Sequence, residues 1–176
     1  MVELRVPPGA DLVAVLKHPD EGKAEDEKVE AHPEISAAVY PAFLLLFEHV
    51  KKNNSTLHVQ GLIGSGGVHA HSSHLFAFLH AAKNAGITRV AIHIFTDGRD
   101  TPPQSAGTYI EELEDEIQHI GVGFIATVSG RFYAMDRDHN WDRTKRAEEA
   151  LFECKGNVCS IKPSAYVRTL YAEKKT

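Results

Sequence analysis

The fold follows from the stretch Thr56-Leu-His-Val-Gln-Gly-Leu-Ile63 and the glycine-rich run Gly64-Ser-Gly-Gly-Val-His-Ala-His71 behind it. The first part is largely apolar and ends at turn residues, which predicts a strand. From Ser72 to Asn84 apolar residues recur at helical spacing, and Gly86 stands where a helix usually ends. The stretch therefore predicts a strand, a loop and an amphipathic helix in succession.

The same succession continues along the chain. Further strands are predicted at residues 89–95 and 123–128, and further helices at residues 41–53, 104–120 and 141–152. Alternating strands and helices are typical of proteins with a parallel sheet. We therefore expect an α/β fold with a three-layer, open and mainly parallel sheet that carries helices on both faces.

Residues 1–40 form an arm that lacks this alternation of strands and helices. The arm contains a short apolar run at residues 12–16 and an acidic stretch at residues 20–30, which holds six acids and two lysines. It is either an edge strand with a turn or poorly ordered. Because the whole chain has a net charge of only −5, most of the acidity is local, as in a solvated loop.

The composition limits the classes of function. A chain of 176 residues, 43% of them hydrophobic, suits one domain with a buried core. Its longest apolar run, at residues 43–47, is far shorter than the roughly 20 residues of a membrane span, and the first 16 residues do not resemble a signal peptide. The negative charge disfavours nucleic-acid binding. We expect Cys154 and Cys159 to be ordinary thiols in a reducing, cytoplasmic compartment.

Each predicted strand is followed by a loop of unusual composition. The loops are residues 64–71, residues 96–103 (Thr-Asp-Gly-Arg-Asp-Thr-Pro-Pro) and residues 129–138 (Ser-Gly-Arg-Phe-Tyr-Ala-Met-Asp-Arg-Asp). The carboxyl ends of parallel strands share one edge of the sheet, and ligands of open α/β sheets bind there. The sequence therefore predicts a binding site where the three loops meet.

The residues of these loops favour an anion as the ligand. Gly64, Gly66 and Gly67 allow backbone N–H groups to approach a phosphate, and the next helix presents its positive N-terminus. The candidate guanidinium forks for phosphate or carboxylate oxygens are Arg99, Arg131, Arg137 and Arg143. A small molecule with phosphate and carboxylate groups would fit this set.

A structural interpretation of the same arginines stays open at this point. Arginines often form ion pairs that serve the fold rather than a ligand. The aspartates available for such pairs are Asp97, Asp100, Asp136, Asp138 and Asp142. The convergence of three loops on one edge favours the binding site over this alternative.

The histidines and one serine also allow more than one interpretation. His69, His71 and His74 could hold a metal ion, or an imidazole could act in acid/base chemistry beside Asp100. Ser65 could be a nucleophile, although a turn serine is the more common case. No nucleophile elbow, Walker loop or dinucleotide fingerprint is present.

Taken together, the three loops resemble those of one protein family. The motifs are residues 57–63 with Gly66-Gly-Val-His69 and His71, His93 with Asp97-Gly-Arg-Asp100, and residues 126–138 with Trp141-Asp-Arg143. They are similar to the cofactor-independent (2,3-bisphosphoglycerate-independent) phosphoglycerate mutases. The resemblance covers about residues 41–176. It implies the interconversion of 3-phosphoglycerate and 2-phosphoglycerate in glycolysis.

The resemblance implies a division of labour between two domains. An alkaline-phosphatase-like domain holds two manganese ions and a serine that becomes phosphorylated, and an inserted transferase domain holds the glycerate. The present sequence is similar to the transferase domain, incomplete at its C-terminal end. The implied partners are 3-phosphoglycerate or 2-phosphoglycerate and a separate phosphatase-type domain. The resemblance also implies a monomer without an organic cofactor, while the composition predicts neither a nucleic-acid partner nor a membrane.

The resemblance also implies roles for single residues. The family's substrate-binding positions correspond to His69, Arg99, Asp100, Arg131 and Arg137, and Asp100 corresponds to the acid/base group. No metal ligand is carried over, since the segments that hold the family's manganese ligands and serine have no match here. We therefore expect the 176 residues alone to lack mutase activity. The alternative is a non-catalytic phosphoglycerate-binding or interaction module.

The sequence departs from the family pattern within the loops. Gly64 and Ser65 stand where the family usually has Ser-Asp, Ala70 replaces a common serine, and Asn140 replaces a common arginine. We therefore expect the loop of His69 to be less firmly held.

Overall fold

A four-stranded parallel sheet forms the centre of the chain. The computed structural model describes residues 13–15 and 33–173, with the backbone alone up to residue 40. The strands lie in the order β1 (Val13–Val15), β2 (Leu57–Ile63), β3 (Val90–Thr96) and β4 (Phe124–Gly130). The helices in the described ranges are α1 (Pro33–Asn53), α2 (Ser72–Asn84), α3 (Ala106–Ile120), α4 (Arg131–Ala134), α5 (Trp141–Phe152) and α6 (Pro163–Ala172). The expected α/β fold with a parallel sheet is confirmed.

The arm contributes an edge strand. β1 pairs in parallel with β2, which supports the edge-strand interpretation of the apolar run at residues 12–16. α1 begins at Pro33, earlier than predicted, and continues through Pro41 across the expected boundary at residue 40. The acidic stretch at residues 20–30 lies outside the described residues.

The apolar core takes its strand residues from one face of the sheet. Val59 of β2 is paired with Ile92 of β3, and both are almost completely buried. Phe47 of α1, Leu79 of α2 and Leu113 of α3 belong to the same buried cluster. Burying each such side chain stabilises the fold by about 1.5–3 kcal/mol. The helices that join neighbouring parallel strands thus cover one face, as successive crossovers of the same hand require.

The opposite face carries a polar row across three strands. Since successive side chains of a strand alternate between faces, His58, His93 and Thr127 point away from the apolar cluster. His58 Nδ1 lies 2.9 Å from His93 Nε2, and His93 Nδ1 lies 2.9 Å from Thr127 Oγ1. The rings of the two histidines are stacked. Both ring nitrogens of the buried His93 therefore have hydrogen-bond partners. This face of the sheet is thus held by polar contacts, whereas the first face is held by apolar ones.

α6 was not expected from the sequence pattern, and polar contacts hold it on α3. The Glu114 carboxylate accepts hydrogen bonds from Ser164 N at 3.0 Å and Ser164 Oγ at 2.8 Å, at the first turn of α6. The Arg168 guanidinium donates to Glu111. Gly107 makes room, since a Cβ there would lie 2.9 Å from Arg168 Cγ. The neighbouring helix thus satisfies one free backbone donor of the α6 N-terminus.

The strand register brings the three loops together. Ile63 pairs with Thr96, and Thr96 pairs with Gly130, so β2, β3 and β4 end in one row. The next residues, Gly64, Asp97 and Arg131, therefore begin their loops side by side at the carboxyl edge. In the ranges that the structure describes, no helix is long and apolar enough to cross a membrane. Cys154 and Cys159 are both free.

The buried His93 should make the fold sensitive to acid. Burial lowers the pKa of His93, and the neighbouring His58 lowers it further. A histidine in the unfolded chain takes up a proton near pH 6.5, whereas folded His93 does so only at lower pH. The unfolded chain then binds more protons, so the contribution of His93 to stability is present above about pH 6.5 and is lost as the pH falls through the folded pKa.

Urea unfolding at about pH 7.5 and about pH 5.5 measures this dependence. The His93→Gln variant should lose less stability between the two pH values than the unaltered protein, because glutamine does not titrate. His119→Gln removes an exposed histidine of α3 and is the matched control. An equal acid-induced loss in His93→Gln and the unaltered protein would contradict the assignment.

Candidate functional site

The centre of the site is the carboxylate of Asp97, the first residue after β3. Its Oδ1 accepts hydrogen bonds from the Arg131 guanidinium at 2.7 Å, from Arg99 N at 3.0 Å and from Asp100 N at 3.2 Å. The Asp97 side chain is only 2% exposed. One buried oxygen therefore holds both the turn that follows β3 and the guanidinium that follows β4.

The two charges of this pair stabilise each other. Burial alone would raise the pKa of Asp97, but the hydrogen bonds from Arg131, Arg99 and Asp100 outweigh it and hold the pKa below its usual value. Desolvation alone would lower the pKa of Arg131, but its bonds to Asp100 and Asp97 raise it. Both groups are therefore ionised at neutral pH.

Asp100 lies between Arg131 and His69. Arg131 Nη1 donates to Asp100 Oδ2 at 2.6 Å, and His69 Nε2 lies 3.9 Å from the same oxygen. The Asp100 side chain is 18% exposed and that of His69 is 50% exposed. Arg131 uses only Nη1 for its two aspartates, so its Nη2 and Nε have no partner within the described ranges. The arrangement thus combines a fixed carboxylate with free guanidinium donors.

The glycine-rich loop packs directly against the loop of Asp100. A Cβ at Gly66 would lie 2.8 Å from the carbonyl oxygen of Asp100, and a Cβ at Gly64 would lie 3.0 Å from Thr101 Cγ2. Gly67 has φ +67°, a conformation that favours glycine. Close approach therefore favours glycine at positions 64 and 66, and backbone conformation favours it at position 67.

The base of this loop is held by the first residue of α2. Gly64 N donates to Ser72 Oγ at 3.0 Å, and Ser72 N donates to Gly64 O at 2.9 Å. By contrast, the backbone N–H groups of residues 65–67 donate no hydrogen bond to any other residue that the structure describes. These donors are available to an anion, as expected for a glycine-rich loop before a helix.

Arg99 and Arg137 differ from Arg131 in having no counter-ion. Both side chains are exposed, and neither forms a hydrogen bond or ion pair with another described residue. Arg143 instead donates to Asp136 at 3.3 Å, and its guanidinium carbon lies 3.9 Å from the centre of the Phe132 ring. The structural ion-pair interpretation thus applies to Arg131 and Arg143, whereas Arg99 and Arg137 are uncompensated cations.

A second carboxylate shapes the loop that presents Arg137. The Asp136 side chain is 3% exposed and accepts hydrogen bonds from Asn140 N and Asn140 Nδ2, both at 2.8 Å, and from Asp138 N at 3.2 Å. The hydrogen bonds from Asn140 lower the pKa of Asp136, and Arg143 lowers it further. The turn leaves Arg137 exposed at its tip. Asn140, where the related family usually has arginine, is therefore part of this turn.

The structure gathers some of the predicted site residues more closely than others. Arg131, Asp100 and His69 lie together, and Arg99 is attached to the group through its backbone N–H. Arg137 belongs to the neighbouring Asp136 turn, and within the described ranges its side chain forms no hydrogen bond or ion pair with the group. Ser65 lies in the loop with its Oγ 2.6 Å from Tyr109 Oη, so it is paired to a tyrosine rather than to a general base.

The three histidines do not form a metal centre among the described residues. His71 Nδ1 accepts a hydrogen bond from Ser73 N at 3.3 Å and so caps α2. No group of three or more histidine, cysteine, aspartate or glutamate side chains in the described ranges is arranged to hold a metal ion. The donor set therefore does not fit a resident metal, and no chemical step is assigned to one.

The functional role of Asp97 was missed by the sequence analysis. The sequence offers Asp97 as one of five possible ion-pair partners and as part of a family motif, whereas in the structure it organises Arg99, Asp100 and Arg131. The signal in the sequence is Asp97-Gly-Arg-Asp100, since aspartate at the start of a turn commonly accepts backbone N–H groups two or three residues later.

Comparison with known proteins identifies a related family. The family described as the N-terminus of BPG-independent PGAM matches residues 33–176. A 2,3-bisphosphoglycerate-independent phosphoglycerate mutase of Prochlorococcus marinus is 45% identical over 136 residues, covering 77% of this chain and 25% of the relative. The protein of the same name from Chloroflexus aggregans is 56% identical over 113 residues, covering 64% of this chain and 21% of the relative.

A solved structure shares the fold. The crystal structure of Leishmania mexicana phosphoglycerate mutase at low cobalt concentration matches with a TM-score of 0.72 and 27% identity. The match covers 82% of this chain and 27% of that one. The present chain thus spans about a quarter of the length of the proteins that it resembles.

Removing the charge of Asp97 should destabilise the protein. In Asp97→Asn the neutral amide oxygen would replace a buried carboxylate that accepts three hydrogen bonds, one of them from a cation. The loss should be about 2 kcal/mol, as for buried hydrogen bonds to charged groups. Urea unfolding at neutral pH measures the free energy of unfolding.

Asp138→Asn is the matched control, because it makes the same change at an exposed aspartate of a neighbouring loop. It should alter the free energy of unfolding by less than about 0.5 kcal/mol. Equal effects of the two substitutions would show that the Asp97 carboxylate does not organise the site.

Proposed function

Because the chain belongs to the 2,3-bisphosphoglycerate-independent phosphoglycerate mutase family, as its match to the family's N-terminus shows, we propose that it provides the substrate-binding part of such an enzyme. In this proposal the chain binds 3-phosphoglycerate or 2-phosphoglycerate during their interconversion in glycolysis, in the cytoplasm. The observation that carries it is the presence of two uncompensated guanidinium groups, those of Arg99 and Arg137, in the loops that follow β3 and β4 at the sheet edge where Asp100 lies.

The distribution of charge supports a ligand with two anionic groups. Arg131 is balanced by Asp97 and Asp100, whereas Arg99 and Arg137 have no carboxylate partner among the described residues. A phosphoglycerate carries a phosphate and a carboxylate, each of which suits a guanidinium fork. The free N–H groups of residues 65–67 add neutral donors for phosphate oxygens. The ligand would thus neutralise the positive groups that the protein leaves unpaired.

Asp100 is suited to the proton transfer that the reaction requires. When a glycerate hydroxyl attacks a phosphoryl group it must lose a proton, and the oxygen that later releases the phosphoryl group must regain one. Arg131 holds Oδ2 of Asp100 at 2.6 Å, and no described residue bonds to Oδ1. We assign this acid/base role to Asp100, with His69 beside it as a hydrogen-bonding group for the substrate.

The phosphoryl-transfer chemistry itself is assigned to the part of the family that this chain does not match. The chain spans about a quarter of the relatives, and the described residues offer no metal-binding group. The phosphatase-type part, with the manganese ions that the resemblance implies, would supply the phosphorylated serine. This chain would then hold and orient the glycerate. The second candidate, a module that binds phosphoglycerate without catalysis, rests on the same site geometry.

Isothermal calorimetry with 3-phosphoglycerate tests the proposed site. The unaltered chain should bind it, and Arg99→Gln or Arg137→Gln should each weaken binding about tenfold, because each removes a charge-assisted hydrogen bond. Neither guanidinium has a partner in the described ranges, so both variants should fold normally.

Arg89→Gln is the matched control, since Arg89 precedes β3 at the opposite end of the sheet, where it donates to Asn54. It should bind 3-phosphoglycerate like the unaltered chain. An absence of binding, or an equal loss in Arg89→Gln, would contradict the proposed site.

A further inference from the structure

The tip of the glycine-rich loop is joined to α3 by a pair of hydroxyl groups. Ser65 Oγ lies 2.6 Å from Tyr109 Oη, although the two residues are 44 positions apart in the chain. Tyr109 is half-buried and packs against the apolar core, whereas Ser65 is exposed. The bond therefore connects an exposed, glycine-rich loop to a helix residue that is packed on the core.

The remaining supports of the loop lie elsewhere. Ser72 holds the base of the loop through both the N–H and the carbonyl of Gly64. Gly66 lies against the backbone of Asp100, which limits movement toward that side only. The N–H groups of residues 65–67 make no hydrogen bond to the described chain. Among the described contacts, Tyr109 is therefore the hydrogen-bonding support of the loop tip.

A support of this kind lowers the entropic cost of binding by a glycine-rich segment. Glycine has more conformational freedom than any other residue, so a loop with Gly64, Gly66 and Gly67 loses more entropy when a ligand orders it. A bond that orders the loop beforehand removes part of that cost from binding. Tyr109 stands on the fourth residue of α3, directly after the Asp97 loop, so it also fixes one loop relative to the other.

We propose that Tyr109 is a positioning residue, which holds Ser65 and thereby orders the free N–H groups of residues 65–67 for an anionic ligand. This inference rests on the proposed function for the identity of the ligand. Tyr109 itself would not touch the ligand. Its effect is exerted through Ser65, so the two side chains should act as one unit.

A double-mutant cycle in the affinity for 3-phosphoglycerate tests the proposal. Tyr109→Phe and Ser65→Ala should each weaken binding about three- to tenfold, as expected for the loss of one hydrogen bond. The double variant should bind no more weakly than the weaker single variant, because the second substitution removes nothing further. Tyr166→Phe on α6 removes a hydroxyl with no partner in the described ranges and should leave the affinity unchanged.

A measurement without ligand makes the test independent of the proposed function. Backbone ¹⁵N relaxation should show lower order parameters at Gly66 and Gly67 in Tyr109→Phe than in the unaltered chain or in Tyr166→Phe. Unchanged order parameters, or losses of affinity that add in the double variant, would overturn the role of Tyr109 while leaving phosphoglycerate binding intact. Failure of the unaltered chain to bind 3-phosphoglycerate would instead overturn the proposed function, and with it the ligand named here.

Discussion

The contact between Asp97 and Arg131 is the constraint on which the rest of the site depends. It joins the ends of two neighbouring strands, because each residue directly follows its strand and the register places the strand ends in one row. A buried carboxylate without a cationic partner would be costly, and so would a partly buried guanidinium without a carboxylate. The folded sheet therefore requires both partners of the pair. Once it has formed, Asp97 also orders the backbone of Arg99 and Asp100.

This arrangement separates the arginines into two classes. Arg131 and Arg143 are held by aspartates and define the shape of the site, whereas Arg99 and Arg137 remain uncompensated at its surface. A ligand gains more from an uncompensated cation than from one that is already paired, because it need not displace a carboxylate. The proposed specificity for a doubly anionic ligand therefore depends on two features: the presence of Arg99 and Arg137, and the lack of a carboxylate partner for either among the described residues.

Periodicity was sufficient to predict most of the sheet and the helices that flank it, and with them the edge at which three loops meet. It did not predict α6, because the first turn of that helix is held by Glu114 of α3, 50 positions earlier in the chain, and periodicity does not show contacts at that separation. The composition of the loops indicated an anion site, but a list of charges does not show which carboxylate reaches which guanidinium. For this reason the central position of Asp97 and the capping role of His71 emerged only from the structure.

The site as a whole is arranged for one anionic small molecule at the carboxyl edge of the sheet, between the three loops, and we propose that such a molecule binds there. Amide chemical-shift mapping during titration with 3-phosphoglycerate locates the binding site directly. We expect shifts confined to residues 64–71, 97–101 and 131–140, largest at the free N–H groups of residues 65–67. Shifts centred instead on the groove between α3, β4 and α6, near Gly123 and Lys162, would contradict it, as would the absence of any shift at saturating ligand.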